Sequence, residues 1–125
     1  MEISLLYNYF KESTGVATDT RKINQGNIFF ALKGPNFNAN LFAGEAIEKG
    51  AKYAVVDDRS LADEKTIFYV PDTLIALQKL ANYHRKTLNI PVIGLTGSNG
   101  KTTTKELIHC VLNTKFKVTY TQGNL

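Results

Sequence analysis

The stretch Pro91-Val92-Ile93-Gly94-Leu95-Thr96-Gly97-Ser98-Asn99-Gly100-Lys101-Thr102-Thr103-Thr104 decides how the rest of the chain is read. Its first five residues are an apolar run with proline before it and glycine-rich sequence after it, the pattern of a buried strand. Beyond Lys101, Leu107, Ile108, Val111 and Leu112 recur at helical spacing and give a helix a face to pack on that strand. In the loop between them Gly97 and Gly100 carry no Cβ, so several N–H groups can converge on one anion at the positive end of the helix dipole. A nucleotide phosphate fits that description. Lys101 is placed to reach the β and γ phosphates and the Thr102 hydroxyl to coordinate magnesium. The candidate ATP-binding residues are therefore Gly97, Ser98, Asn99, Gly100, Lys101, Thr102 and Thr103. Lys101 and Thr102 are the candidate catalytic groups, and Thr102 is the candidate Mg2+ ligand.

Against the general pattern G-x-x-x-x-G-K-[ST] the loop has one departure: the outer glycine falls on Leu95, and Gly94 comes one residue too early. In that form, T-G-[ST]-N-G-K-T-T, it resembles the phosphate loop of the Mur ligase family. A second stretch resembles the same family. Thr18-Asp19-Thr20-Arg21 followed by Gly26-Asn27-Ile28-Phe29-Phe30-Ala31-Leu32-Lys33-Gly34 is similar to the signature D-[ST]-R-x(4)-G-x-[LI]-F-x-A-L-x-G of members that bind the uridine end of their substrate. The likeness runs on through Phe42, Ala46-Ile47, Gly50-Ala51 and the helix at 74–81 into residues 121–125. Where many members read D-G-H, this chain has Asn38-Ala39-Asn40. Amides can donate to a diphosphate, but alanine removes a permissive backbone position. Ser98-Asn99 followed by Thr104-Lys105-Glu106 is most similar to the members that join D-alanyl-D-alanine to UDP-N-acetylmuramoyl-tripeptide.

The resemblance implies an ATP-dependent amide ligase of peptidoglycan precursor synthesis. The terminal phosphoryl group of ATP passes to the peptide carboxylate, and the amine of D-alanyl-D-alanine attacks the resulting acyl phosphate. It also implies that residues 1–88 bind the UDP-sugar, with Thr20, Arg21, Lys33, Asn36 and Asn38 as substrate-binding residues, and that residues 89–125 begin the central ATP-binding domain. Family members carry further magnesium ligands, a carbamylated lysine, the adenine contacts and a dipeptide-binding domain downstream, so this chain is expected to be a partial ligase, inactive alone. The longer enzyme is expected to be a cytoplasmic monomer. Two alternatives stay open, a Mur ligase adding a different amino acid and a non-catalytic module binding nucleotide-sugar or ATP; a folylpolyglutamate synthetase shares the loop, but the amino-terminal signature argues against it.

Composition is consistent with this. The 125 residues are 43% apolar, with no run near the roughly 20 residues of a membrane helix. No amino-terminal secretory pattern is visible. The net charge of +4 is spread over lysines that form no basic stripe, which argues against a nucleic-acid surface. Cys110 is a lone thiol in the helix after the loop and reads as buried and structural. His84 and His109 read as packing or surface residues, and Asp57-Asp58 as a solvated turn. Asp19-Thr20-Arg21 can also be read as a turn with an internal ion pair, the less favoured of the two readings.

The predicted fold is α/β: a small mixed α/β domain followed by the strand, phosphate loop and helix of an incomplete nucleotide-binding domain. An amino-terminal helix is built on Ile3, Leu6 and Phe10. Strands are expected at 27–32, 53–56 and 67–70, with a turn at Lys33-Gly34-Pro35. Residues 41–49 form a helix closed by Gly50, and Asp72 caps a helix of about four turns ending before Pro91. A further strand is expected at 116–120.

Overall fold

The computed structural model describes residues 1–122, which divide into two compact units with the break after Asn89. In the first, four short strands, β1 (Val16–Ala17), β2 (Ile28–Phe30), β5 (Tyr53–Val56) and β6 (Ile67–Tyr69), form a parallel sheet in the order β1-β2-β5-β6. A parallel sheet needs cover on both faces. Successive residues supply it by alternating between two apolar clusters. Phe29, Ala31, Ala54 and Val56 point to one side, where they meet Ala43 and Ala46 of helix α2 (Ala43–Glu48). Ile28, Phe30 and Val55 point to the other, against Leu6 of α1 (Ile3–Glu12) and Ala76 and Leu80 of α3 (Thr73–Thr87). Small side chains on the α2 side let that helix lie close to the sheet.

The elements start and stop where local chemistry directs. The Asp72 carboxylate accepts from the Ile75 N–H at 2.7 Å and caps α3. Gly50, with φ +104°, closes the turn after α2; a Cβ there would strike the Gln25 side chain. His84 packs against Tyr7 and Phe10 of α1, within hydrogen-bonding distance (3.2 Å) of the Tyr7 hydroxyl. Lys33-Gly34, expected as a turn, is instead strand β3 (Lys33–Gly34), paired antiparallel with β4 (Phe37–Asn38). The turn is Pro35-Asn36, the two-residue loop that joins hairpin strands. A 3-10 turn at Ala39–Phe42 then leads into α2.

The second unit is a loop and helix α4 (Lys101–Asn113). The run at 91–95 forms no ladder among the described residues, and Val92, Ile93 and Leu95 are exposed, not buried in a strand as expected. The strand expected at 116–120 is likewise absent from the described ladders. A strand exists only through its hydrogen-bonded neighbour, and apolarity alone does not supply one. That segment returns along α4 instead, with Tyr120 beside His109 at 4.0 Å between ring centroids and the Thr121 carbonyl accepting from Lys105 Nζ at 2.7 Å. Cys110 is exposed, contrary to the buried thiol expected, because α4 buries none of its residues. Residues 123–125, part of the stretch that resembles Mur ligases, lie outside the described residues. No described helix is long and apolar enough to cross a membrane.

Candidate functional site

At the carboxyl edge of the first unit's sheet, where ligands bind in open parallel α/β folds, a cleft of about 520 Å³ is lined by Thr18, Asp19, Thr20, Arg21, Phe37 and Phe42, with Phe29, Ala39 and Glu45 completing it. The sequence-predicted Thr20 and Arg21 are brought into it. Lys33, Asn36 and Asn38 do not line it: they belong to the adjoining β3–β4 hairpin and its turn. Phe37 and Glu45 lie in no sequence motif, and Phe42 belongs to the family likeness without a site role. One signal was available, since Phe37 is the lone aromatic in the polar stretch Gly34-Pro35-Asn36-Phe37-Asn38. Its ring stacks on Phe42 with centroids 5.8 Å apart and planes 15° apart, yet it remains 56% exposed.

Arg21 and Asp19 form the internal ion pair. Asp19 Oδ2 receives Arg21 Nη2 at 2.7 Å, and Oδ1 receives Nε at 3.0 Å and the Arg21 backbone N–H at 2.9 Å. These bonds, the side-chain ones first, hold the Asp19 carboxyl well below the usual carboxylate range, while the carboxylate pushes the guanidinium up. The pair fixes Arg21 at the cleft through Nε and Nη2 and leaves its side chain 84% exposed.

Asp57, at the end of β5, is not the solvated residue expected: its side chain is 12% exposed. Its Oδ1 receives Lys33 Nζ at 2.6 Å and Asn40 Nδ2 at 2.7 Å, and its backbone N–H donates to Asn40 Oδ1 at 3.0 Å. Burial pushes the Asp57 carboxyl up, but the bonds from Lys33 and Asn40 outweigh it and the net shift is downward. The hydrogen bond to Asp57 pushes the Lys33 ammonium up. Asn38 Oδ1 accepts from both the backbone N–H and Nδ2 of Asn40, at 3.1 and 2.8 Å. Asn38 and Asn40 are thus engaged with the protein itself. Ala39 lies in the core and has no positive φ, so alanine is compatible with this backbone. Asp58 accepts from the Ser60 N–H and hydroxyl.

In the second unit the chain bends at Ser98-Asn99 between two glycines of positive φ, +147° at Gly97 and +75° at Gly100. The first turn of α4 follows at once, with no side chain capping it. The first N–H groups of a helix have no partner within the helix, and such a terminus favours an anion. Lys101 Nζ folds back onto the Gly97 carbonyl. Among the described residues no group of three or more His, Cys, Asp or Glu side chains could hold a metal ion.

Comparison with known proteins matches residues 95–125 to the Mur ligase middle domain. The chain is 49% identical over 113 residues to the UDP-N-acetylmuramoyl-tripeptide–D-alanyl-D-alanine ligase of Bacillus subtilis, covering 88% of this chain and 24% of that one. It is 41% identical over 119 residues to the UDP-N-acetylmuramoyl-L-alanyl-D-glutamate–2,6-diaminopimelate ligase of Syntrophomonas wolfei, covering 92% and 24%. MurF from Acinetobacter baumannii superposes with a TM-score of 0.78 at 36% identity, over 90% of this chain and 24% of that one. MurF from Thermotoga maritima, solved with ADP, gives 0.78 at 30% identity, over 94% and 27%. The chain spans about a quarter of the length of the relatives it matches. Over the residues compared, the chain resembles Mur ligases in sequence and in fold, with 49% identity to a D-alanyl-D-alanine-adding member and 41% to a diaminopimelate-adding one.

Proposed function

We propose that this chain carries the nucleotide-sugar cleft and the ATP phosphate loop of a ligase that joins D-alanyl-D-alanine to UDP-N-acetylmuramoyl-tripeptide in peptidoglycan precursor synthesis. The observation that carries this reading is the bend at Ser98-Asn99, flanked by glycines of positive φ and followed directly by an uncapped helix start bearing Lys101. The 49% identity to the Bacillus subtilis enzyme, against 41% for a diaminopimelate-adding relative, supports the choice of dipeptide as the incoming amine.

In this reading residues 1–88 are the UDP-sugar domain and residues 89–125 begin the ATP-binding domain. The reaction moves the terminal phosphoryl group of ATP to the tripeptide carboxylate, after which the amine of the dipeptide attacks the acyl phosphate and phosphate leaves. No side chain of this chain need act as a nucleophile. The amides from Gly97 to Thr103 and the α4 dipole bind the phosphates, and Lys101 moves off the Gly97 carbonyl to sit against the transferring group. Magnesium, held in part by the Thr102 hydroxyl, would neutralise charge between the β and γ phosphates. In the cleft, Arg21, oriented by Asp19, and the Thr20 hydroxyl face the uridine diphosphate, with Lys33, Asn36 and Asn38 on the hairpin beside it.

Calorimetric titration of the chain tests this. Magnesium-ATP should bind, and Lys101→Ala should weaken it at least about tenfold, since a charge-assisted phosphate contact is worth roughly 1.5–3 kcal/mol. Binding of UDP-N-acetylmuramoyl-tripeptide should be unchanged by Lys101→Ala. A folded chain with Lys101 intact that takes up neither ligand would overturn the proposal.

A further inference from the structure

The β3–β4 hairpin carries Phe37 to the mouth of the cleft, and both of its limbs are tied to one carboxylate. Lys33, on the outgoing strand, reaches Asp57 Oδ1 at 2.6 Å. Asn40, two residues past the returning strand, reaches the same oxygen at 2.7 Å and accepts the Asp57 backbone N–H at 3.0 Å. Asn40 is 1% exposed, and its amide also donates to Asn38 Oδ1. A buried amide with its donors and acceptor all engaged is a rigid joint, and a single truncation breaks several bonds at once. A two-stranded ribbon of two residues per strand has little stability of its own. Its position is therefore set by what it is tied to.

Phe37 is what that position controls. One of its faces lies on Phe42, and more than half of the residue is exposed at a cleft also lined by Thr18, Asp19, Thr20 and Arg21. A flat aromatic face in one cleft with hydroxyl and guanidinium donors suits a planar base bearing a phosphorylated sugar. We infer that Asn40 is a positioning residue: through Asp57 and Lys33 it clamps the hairpin to the end of β5 and so holds Phe37 where it stacks on the uracil of the bound nucleotide. This inference rests on the nucleotide-sugar reading of the cleft and adds to it the residue that recognises the base and the residue that holds it in place.

The test is a double-mutant cycle on the 125-residue chain with UDP as the probe, read by equilibrium titration. The unchanged chain should bind UDP saturably. Phe37→Leu should weaken binding about tenfold, the scale of one base–aromatic stack. Asn40→Ala should weaken it by a similar factor, and Phe37→Leu added to Asn40→Ala should cost little more, since the ring would already be out of place. Leu80→Ala, in the apolar cluster on the sheet face opposite that of Phe29 and Ala39, controls for stability loss and should leave UDP affinity unchanged. Lys33→Met, at an exposed position, loosens the clamp without opening the core and should give a smaller loss that also vanishes in the Phe37→Leu background. If the unchanged chain binds no UDP, the nucleotide-sugar reading fails and this role with it. If the unchanged chain binds UDP while Asn40→Ala binds equally well, or the losses at 37 and 40 simply multiply, the positioning role alone is overturned.

Discussion

A single glycine means opposite things at two places in this chain. Gly44 lies on the exposed side of α2 with nothing within 4 Å of an added Cβ and no positive φ. Gly100 also has open space around it, but its φ of +75° is one that L side chains adopt only at a cost. The same substitution should therefore give effects of opposite sign. Gly44→Ala should stabilise the first unit by about 0.5–1 kcal/mol through lower entropy of the unfolded chain, seen as a higher urea midpoint at unchanged slope. Gly100→Ala should cost about 1–2 kcal/mol at the phosphate loop, seen as roughly tenfold weaker magnesium-ATP binding with no change in that midpoint. A neutral Gly100→Ala would mean that the left-handed turn is not needed to shape the anion site.

At the scale of elements, sequence pattern and structure agree where an element is long enough to express its own periodicity. The strand at Tyr53–Val56 and the Asp72-capped helix are legible because several successive residues repeat one message. The β3–β4 hairpin is not, since two-residue strands have no period, and its Lys33 is held by a carboxylate 24 positions away in sequence. The candidate site divides the same way. Thr20 and Arg21 are found by a local motif, whereas Phe37 lies on a hairpin tied through Lys33 and Asn40 to Asp57, contacts that no local pattern encodes. That tie has a pH signature. Asp57 is held below its ordinary value, so its contribution is present in full above the carboxylate's unfolded value of about 4 and is lost as pH falls through the folded value. Urea unfolding of the first unit should show a loss of stability between about pH 5 and pH 3 that is smaller in Asp57→Asn. Equal losses in both proteins would show that protonation of other carboxylates accounts for the whole effect, among them Asp19 and also Asp63, whose carboxyl is held low by the N–H groups of residues 65–67 and the Thr66 hydroxyl.

Across the whole molecule, the two units differ in how they are held. The first encloses two apolar clusters on either side of its sheet, with Ile28, Phe29, Phe30, Ala54 and Val55 almost wholly removed from water. The second places apolar side chains in sequence where a core would be, but leaves Val92, Ile93, Leu107, Val111 and Phe116 exposed and buries no residue of α4. Hydrophobic patterning reports which residues can be buried; burial itself needs a facing layer, and residues 91–95, which have a strand's pattern, lie exposed and in no ladder among the described residues. Helical stability in proteins comes mostly from packing of an apolar face, and a 13-residue helix without it is marginal. Amide hydrogen exchange followed by mass spectrometry should therefore separate the units in the unliganded chain. Central strands β2 and β5, hydrogen-bonded on both sides and covered on both faces, should exchange only through global opening of the first unit, while α4 should exchange through local fraying, faster by orders of magnitude. Magnesium-ATP, by engaging the loop and the first turn of α4, should slow exchange at the start of that helix and leave β2 and β5 unaffected. Protection of α4 matching that of β5 without ligand would contradict this and would mean that the helix face is covered in solution.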